Sequence, residues 1–120
     1  MRLDYIEIRT HDPEKMKHFY VGYFDAVVEE TLSCLDTGEA DCAYLLSFRG
    51  GFKVKLIPAE ANIPLIHLAF RVGNRKRVNE LTCRLLLDGH EVISEPGADG
   101  MSRYGSSVYD PDGNVIDLVS

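Results

Sequence analysis

Tyr5, Lys55, His67 and Asp117 are the residues of this 120-residue chain whose types and spacing could do chemistry. Tyr5 to His67 is 62 residues, and Lys55 to Asp117 is also 62. A phenol, an ammonium, an imidazole and a carboxylate gathered at one point could hold an anionic or enolizable ligand and move a proton on it. The spacing comes from a repeat. LDYIEIRTHD and LIHLAFRVGN look alike, and KVKLI and VIDLV close the same two units. Two copies of one unit imply a pseudo-two-fold structure, because each copy buries its apolar face only by packing with others. The four polar residues are then expected to meet near the pseudo-axis.

Strand periodicity adds three more residues to that face. Between Arg2 and Thr10, Ile6 and Ile8 point one way while Leu3, Tyr5, Glu7 and Arg9 point the other. In the second copy Ile66, Leu68, Phe70 and Val72 form the buried row, leaving His67, Ala69 and Arg71 opposite. Arg9 and Arg71 share the 62-residue spacing and suit a pair of carboxylate clamps, or a solvated rim. Glu7 is the spare carboxylate that could carry a proton. Ligand-binding candidates are therefore Tyr5, Glu7, Arg9, Lys55, His67, Arg71 and Asp117, with Glu7, Lys55 and Tyr5 the catalytic candidates. His11, His18 and His90 fall in a loop, off a helix stripe and after a turn, and read as surface residues.

The elements that must position these residues are legible in outline. Asp12-Pro13-Glu14 starts a helix, with Asp as N-cap and Pro in the first turn. Met16, Phe19, Tyr20 and Tyr23 follow as one apolar stripe, read as core. Strands are expected near Ala26–Leu35, Cys42–Phe48 and Phe52–Ile57, with turns at Asp36-Thr37-Gly38 and Gly50-Gly51. In the second copy Asn74 caps a helix with core positions Val78, Leu81 and Leu85, ended by Asp88-Gly89. Strands follow near His90–Glu95, Tyr104–Tyr109 and Asn114–Val119, the last after the turn Asp110-Pro111-Asp112-Gly113. The glycine-rich stretch Pro96–Ser102 is expected to be a loop able to cover a site. The fold class is α+β: two tandem βαβββ modules, residues 1–60 and 64–120, forming one cleft in a single domain, with the seam at Ala59–Pro64.

Composition narrows the function. With 45% hydrophobic residues the chain can build a core, and a net charge of −6 argues against nucleic acid or an anionic membrane as partner. No segment approaches the roughly 18 apolar residues a bilayer span needs. The N-terminal residues enter a strand without a signal peptide's apolar run, so a cytoplasmic protein is expected. Cys34, Cys42 and Cys83 are far apart and read as reduced thiols that pack.

The chain resembles the vicinal oxygen chelate superfamily, which includes glyoxalases, bleomycin-resistance proteins, extradiol dioxygenases and thiol transferases for fosfomycin. The resemblance rests on DYIEIRTHDPEKMKHFYVGYF, on IHLAFRV and on the closing YDPDGNVIDLV, and spans the whole chain. It implies two modules curled around a cleft, a homodimer, and a divalent ion held by His or Glu/Gln from the first and last strand of each module. Carried over, those positions are Tyr5, Lys55, His67 and Asp117. His67 keeps the family's ligand type and Asp117 is one methylene shorter than the usual Glu. Tyr5 stands where the family has His, and Lys55 where it has Glu.

Neutral tyrosine ligates poorly, and an ammonium offers three donors and no acceptor. Two unit charges 4 Å apart interact by about 4 kcal/mol at an effective dielectric near 20, so a divalent ion beside Lys55 would meet roughly twice that. Lys55 can instead replace the metal's charge, with Asp117 accepting from it. The expectation is a small organic ligand bound without a cofactor. One alternative is a metal-dependent glyoxalase-like lyase or isomerase that holds Zn, Ni, Mn or Fe through His67 and Asp117. The other is a drug-sequestering resistance protein, against which stands the lack of Trp.

Overall fold

The computed structural model describes residues 1–32, 42–60, 63–98 and 103–120. Cys34, the turn Asp36-Thr37-Gly38 and residues 99–102 of the glycine-rich stretch lie outside the described residues. Two compact units are present, Met1–Pro64 and Leu65–Ser120. Each is one βαβββ module. No described helix is long and apolar enough to cross a membrane.

The first unit runs β1 (Ile6–Thr10), α1 (Pro13–Phe24), β2 (Val27–Leu32), β3 (Ala43–Ser47) and β4 (Lys53–Pro58). Its sheet has the order β1-β4-β3-β2. First and last strands are therefore neighbours, and they pair in parallel, with Glu7 opposite Lys55. The α1 helix starts where the Asp12 side chain accepts from the Lys15 amide at 3.0 Å. Met16, Phe19 and Tyr20 are buried along with Ile8, Leu46, Val54 and Leu56, so the helix stripe and one sheet face make the core. Burying each such side chain stabilises the unit by about 1.5–3 kcal/mol.

Strand β1 begins at Ile6, not at Arg2 as the alternation suggests. The ladder accounts for the difference: Ile6 already pairs with Val54, and β4 starts only one residue earlier, just after the Gly50-Gly51 turn. Residues 2–5 run out of partner backbone. They lie instead beside that turn, where Arg2, Tyr5, Gly50, Gly51 and Lys53 help line a depression of about 300 Å³.

The second unit runs β5 (His67–Arg71), α2 (Arg75–Leu87), β6 (Val92–Ala98), β7 (Tyr104–Tyr109) and β8 (Val115–Val119), in the sheet order β5-β8-β7-β6. Again the first and last strands pair in parallel, with Ala69 opposite Asp117. Asn74 caps α2 by accepting from the Arg77 amide at 2.9 Å. Val78, Leu81 and Leu85 are buried against Val108, Ile116 and Leu118. Gly89 follows the helix at φ 91, a conformation that glycine adopts without a Cβ penalty.

Pro96, Gly97 and Ala98 correct the sequence reading. They belong to β6, with Gly97 opposite Gly105 and Ala98 opposite Tyr104. Register shifts at Ser94 and Gly97 absorb the irregular backbone, which is how a strand accommodates Pro and Gly near a sheet edge.

The Asp-Pro-Asp-Gly-Asn turn ties the unit's two central strands together. Asp110 Oδ1 accepts from the Asp112 and Asn114 amides, and its Oδ2 accepts from Asn114 Nδ2 at 2.8 Å. Asn114 in turn accepts from the Ile66 amide at 2.9 Å. Both residues are buried. The turn is thus bonded to the residue just before His67.

Candidate functional site

In the first unit the exposed sheet face carries Glu7 and Arg9 on β1 and Lys55 on β4, because β1 alternates between exposed and buried positions. Lys55 Nζ lies 5.1 Å from the centre of the Tyr5 ring, a cation–π contact. Arg9 Nε stands 3.5 Å from Glu7 Oε2. Glu7, the spare carboxylate of the sequence reading, is therefore paired along its own strand.

The second unit brings His67 and Asp117 together: Nε2 of the imidazole is 2.7 Å from Oδ2 of the carboxylate. Ser107 on β7 donates through Oγ to Asp117 Oδ1 at 2.6 Å. Both carboxylate oxygens thus have partners inside this unit. Arg71 turns to the chain end and donates from Nη1 to the Ser120 carbonyl at 3.4 Å.

Sequence reasoning missed Ser107, although the signal was there. The Asp-Pro-Asp-Gly-Asn turn sets Tyr109 opposite Val115, and counting back two residues along each strand sets Ser107 opposite Asp117. Period-2 alternation then puts both on one face.

A different cluster, on the helix side of the first sheet, surrounds the Glu14 carboxyl and lowers its pKa. Lys17 Nζ donates to Glu14 Oε1 at 2.7 Å and the Tyr44 hydroxyl donates to Oε2. His18 Nε2 lies 3.0 Å from the same Oε1. The Lys17 hydrogen bond, and then that of Tyr44, hold the Glu14 carboxyl at about 2 against its ordinary 4.5. Lys17 also lies over the Tyr44 ring at 4.6 Å, so this cluster fastens α1 to β3.

The chain belongs to the Glyoxalase/Bleomycin resistance protein/Dioxygenase superfamily, whose model matches residues 2–118. Among solved structures it is similar to a possible glyoxalase from Bacillus cereus, at 21% identity and a TM-score of 0.79, covering 100% of this chain and 99% of that one. It is also similar to the genomically encoded fosfomycin resistance protein FosX from Listeria monocytogenes, at 20% identity and a TM-score of 0.78, covering 99% and 92%. A glyoxalase I mutant from Zea mays is 20% identical with a TM-score of 0.75, and this chain covers 44% of it. No curated protein matches in sequence. Likeness at this level is likeness of fold.

The resemblance implies four protein donors for a divalent ion, and the four residues at those positions differ in what they can offer. His67 and Asp117 are suitable donors, although each is bonded to the other. Tyr5 and Lys55 are not: Lys55 carries its ammonium over the Tyr5 ring and offers no lone pair. Among the described residues no group of three or more His, Cys, Asp and Glu side chains could hold a metal ion.

Proposed function

We propose that the protein binds a small, anionic organic ligand on the sheet faces that carry Glu7, Arg9 and Lys55, with Tyr5 just before the strand, in one unit and His67, Arg71 and Asp117 in the other, without a divalent metal. The observation that supports this most is Lys55 over the Tyr5 ring. A half-exposed ammonium at a family ligand position supplies positive charge without a vacant coordination site. It neutralises a ligand carboxylate or enolate, and the neighbouring Arg9 adds a planar donor for the same group. His67, braced by Asp117, supplies a second polar anchor.

Superfamily membership by itself covers lyases, fosfomycin resistance proteins and oxidases, so the reading is tested on ligand chemistry. Chelator-treated protein is titrated calorimetrically with Zn²⁺, Ni²⁺ and Mn²⁺, then screened by thermal shift against small carboxylates and phosphonates. The expected result is no saturable metal binding and stabilisation by one class of anion, lost in Lys55→Met. A ligand at 100 times its dissociation constant stabilises by about 2.7 kcal/mol, which a melting curve resolves. Stoichiometric Zn²⁺ or Ni²⁺ binding would put the metal-dependent lyase or isomerase first.

A further inference from the structure

Ser107, Asp117 and His67 form one hydrogen-bonded chain across three adjacent strands of the second sheet. Ser107 is the ladder partner of Asp117 across β7–β8, and Asp117 pairs with Ala69 across β5–β8, two residues from His67. The carboxylate sits in the middle, with Oδ1 accepting from Ser107 at 2.6 Å and Oδ2 facing His67 Nε2 at 2.7 Å. A carboxylate only accepts. The ring nitrogen that faces it must therefore carry the hydrogen, which leaves the lone pair of a neutral imidazole at Nδ1. That nitrogen has no hydrogen-bond partner among the described residues, and the His67 side chain is 61% exposed.

We propose that Ser107 is a positioning residue: it fixes the rotation of the Asp117 carboxylate, so that His67 is held in the Nε2–H tautomer and presents Nδ1 as a proton acceptor. This deepens the ligand-binding reading and rests on it, because it gives the ligand a defined feature, an O–H, N–H or acidic C–H directed at His67. Without Ser107 the carboxylate turns about its Cβ–Cγ bond and the exposed pair loosens, as exposed ion pairs do. With one oxygen pinned by a donor from the neighbouring strand, the other keeps its aim. The orienting hydrogen bond decides which imidazole nitrogen is basic. A purely structural serine would satisfy a half-buried carboxylate and leave the tautomer unchanged.

Long-range ¹H–¹⁵N correlation spectra of the histidine rings test this directly, recorded on the whole chain at a pH where the imidazoles are neutral. His67 is assigned by the signal lost in His67→Gln. The parent is expected to show the Nε2–H pattern alone. In Ser107→Ala the Nδ1–H form should gain about tenfold in relative population, the size of a typical charge-assisted hydrogen bond. Ser107→Thr keeps the hydroxyl and should restore the parent pattern, while the equally shaped Ser107→Val should not. A parent spectrum showing Nδ1–H or a mixture overturns the proposal, as does an unchanged tautomer in Ser107→Val. No ligand enters the measurement, so its failure leaves the ligand-binding reading standing. Failure to find a ligand, conversely, leaves the tautomer result intact.

Discussion

Lys55 and Asp117 hold the same address in their two sheets: Lys55 lies opposite Glu7 in the β1–β4 ladder, and Asp117 lies opposite Ala69 in the β5–β8 ladder. Both separations are 48 residues, and each pair is displaced by 62 from the other. One register position thus carries a cation in the first unit and a carboxylate in the second. Their surroundings follow suit. The cation lies over an aromatic ring, and the carboxylate collects two hydrogen-bond partners.

That difference sets what removing the cation should do. Lys55→Met takes the ammonium from the face of the Tyr5 ring, an interaction of about 0.5–1 kcal/mol at exposed sites. Urea denaturation is expected to show a loss of that order. Stripping one partner from a buried ion pair costs about 3–5 kcal/mol. A loss that large would mean that Lys55 neutralises a carboxylate outside the contacts described.

Asn114 is expected to matter more for stability, although it is not a ligand candidate. It is buried, accepts from the Ile66 amide and donates to Asp110. Asn114→Ala removes the acceptor of the part-buried Ile66 amide and a donor to Asp110, at about 1–3 kcal/mol for an amide left unsatisfied. Urea denaturation should show it, and hydrogen exchange should show faster exchange at Ile66 and through β5. Unchanged exchange there would mean that the turn does not hold His67's strand in place.

The sequence carried the helices and the repeat because their signals are local. Asp12 and Asn74 cap as their types require, and the stripe Met16, Phe19 and Tyr20 is buried. The four repeat-related residues were also legible, since a 62-residue spacing needs no structure to be seen. What stayed hidden depends on pairing across strands. The start of β1 at Ile6 is set by where β4 begins, and β6 runs through Pro96 because a bulge takes up the irregularity. Glu14 reads as an ordinary first-turn acid until Tyr44, 30 residues away, is brought to it. Ser107 needed only the register of one hairpin, and was missed because Ser in a strand has a ready reading as a solvated residue.

Glu14 gives the fold a defined acid response. Its folded value, about 2, is below the ordinary 4.5 because Lys17 and Tyr44 donate to the ionised form. A depressed carboxyl stabilises the fold fully above the unfolded value, and the contribution is lost as pH falls through the folded one. The stability difference between the parent and Glu14→Gln should therefore be constant above about 4.5 and shrink progressively toward pH 2. Denaturation curves across that window measure it. A difference that does not change with pH would show that the ionised carboxyl is not what the two donors hold.

The last prediction concerns the four repeat-related positions as a set. Tyr5→His with Lys55→Glu would give each unit an imidazole and a carboxylate 62 residues from their counterparts, His67 and Asp117. Cation binding gains from four donors over two, and removing the ammonium lifts an opposing term of several kcal/mol. Calorimetry with Zn²⁺ or Ni²⁺ should show affinity raised by about a thousandfold or more over the parent, with a melting temperature that rises with metal concentration. The double variant should need both changes, because Tyr5→His alone leaves Lys55 repelling the ion and Lys55→Glu alone leaves one imidazole short. Each single variant should thus fall well below the pair. A double variant that folds and binds no metal would show that the four positions do not act on one ion. The assignment of Tyr5 and Lys55 to the ligand site would then be withdrawn, while His67, Asp117 and Ser107 would stand on their own contacts.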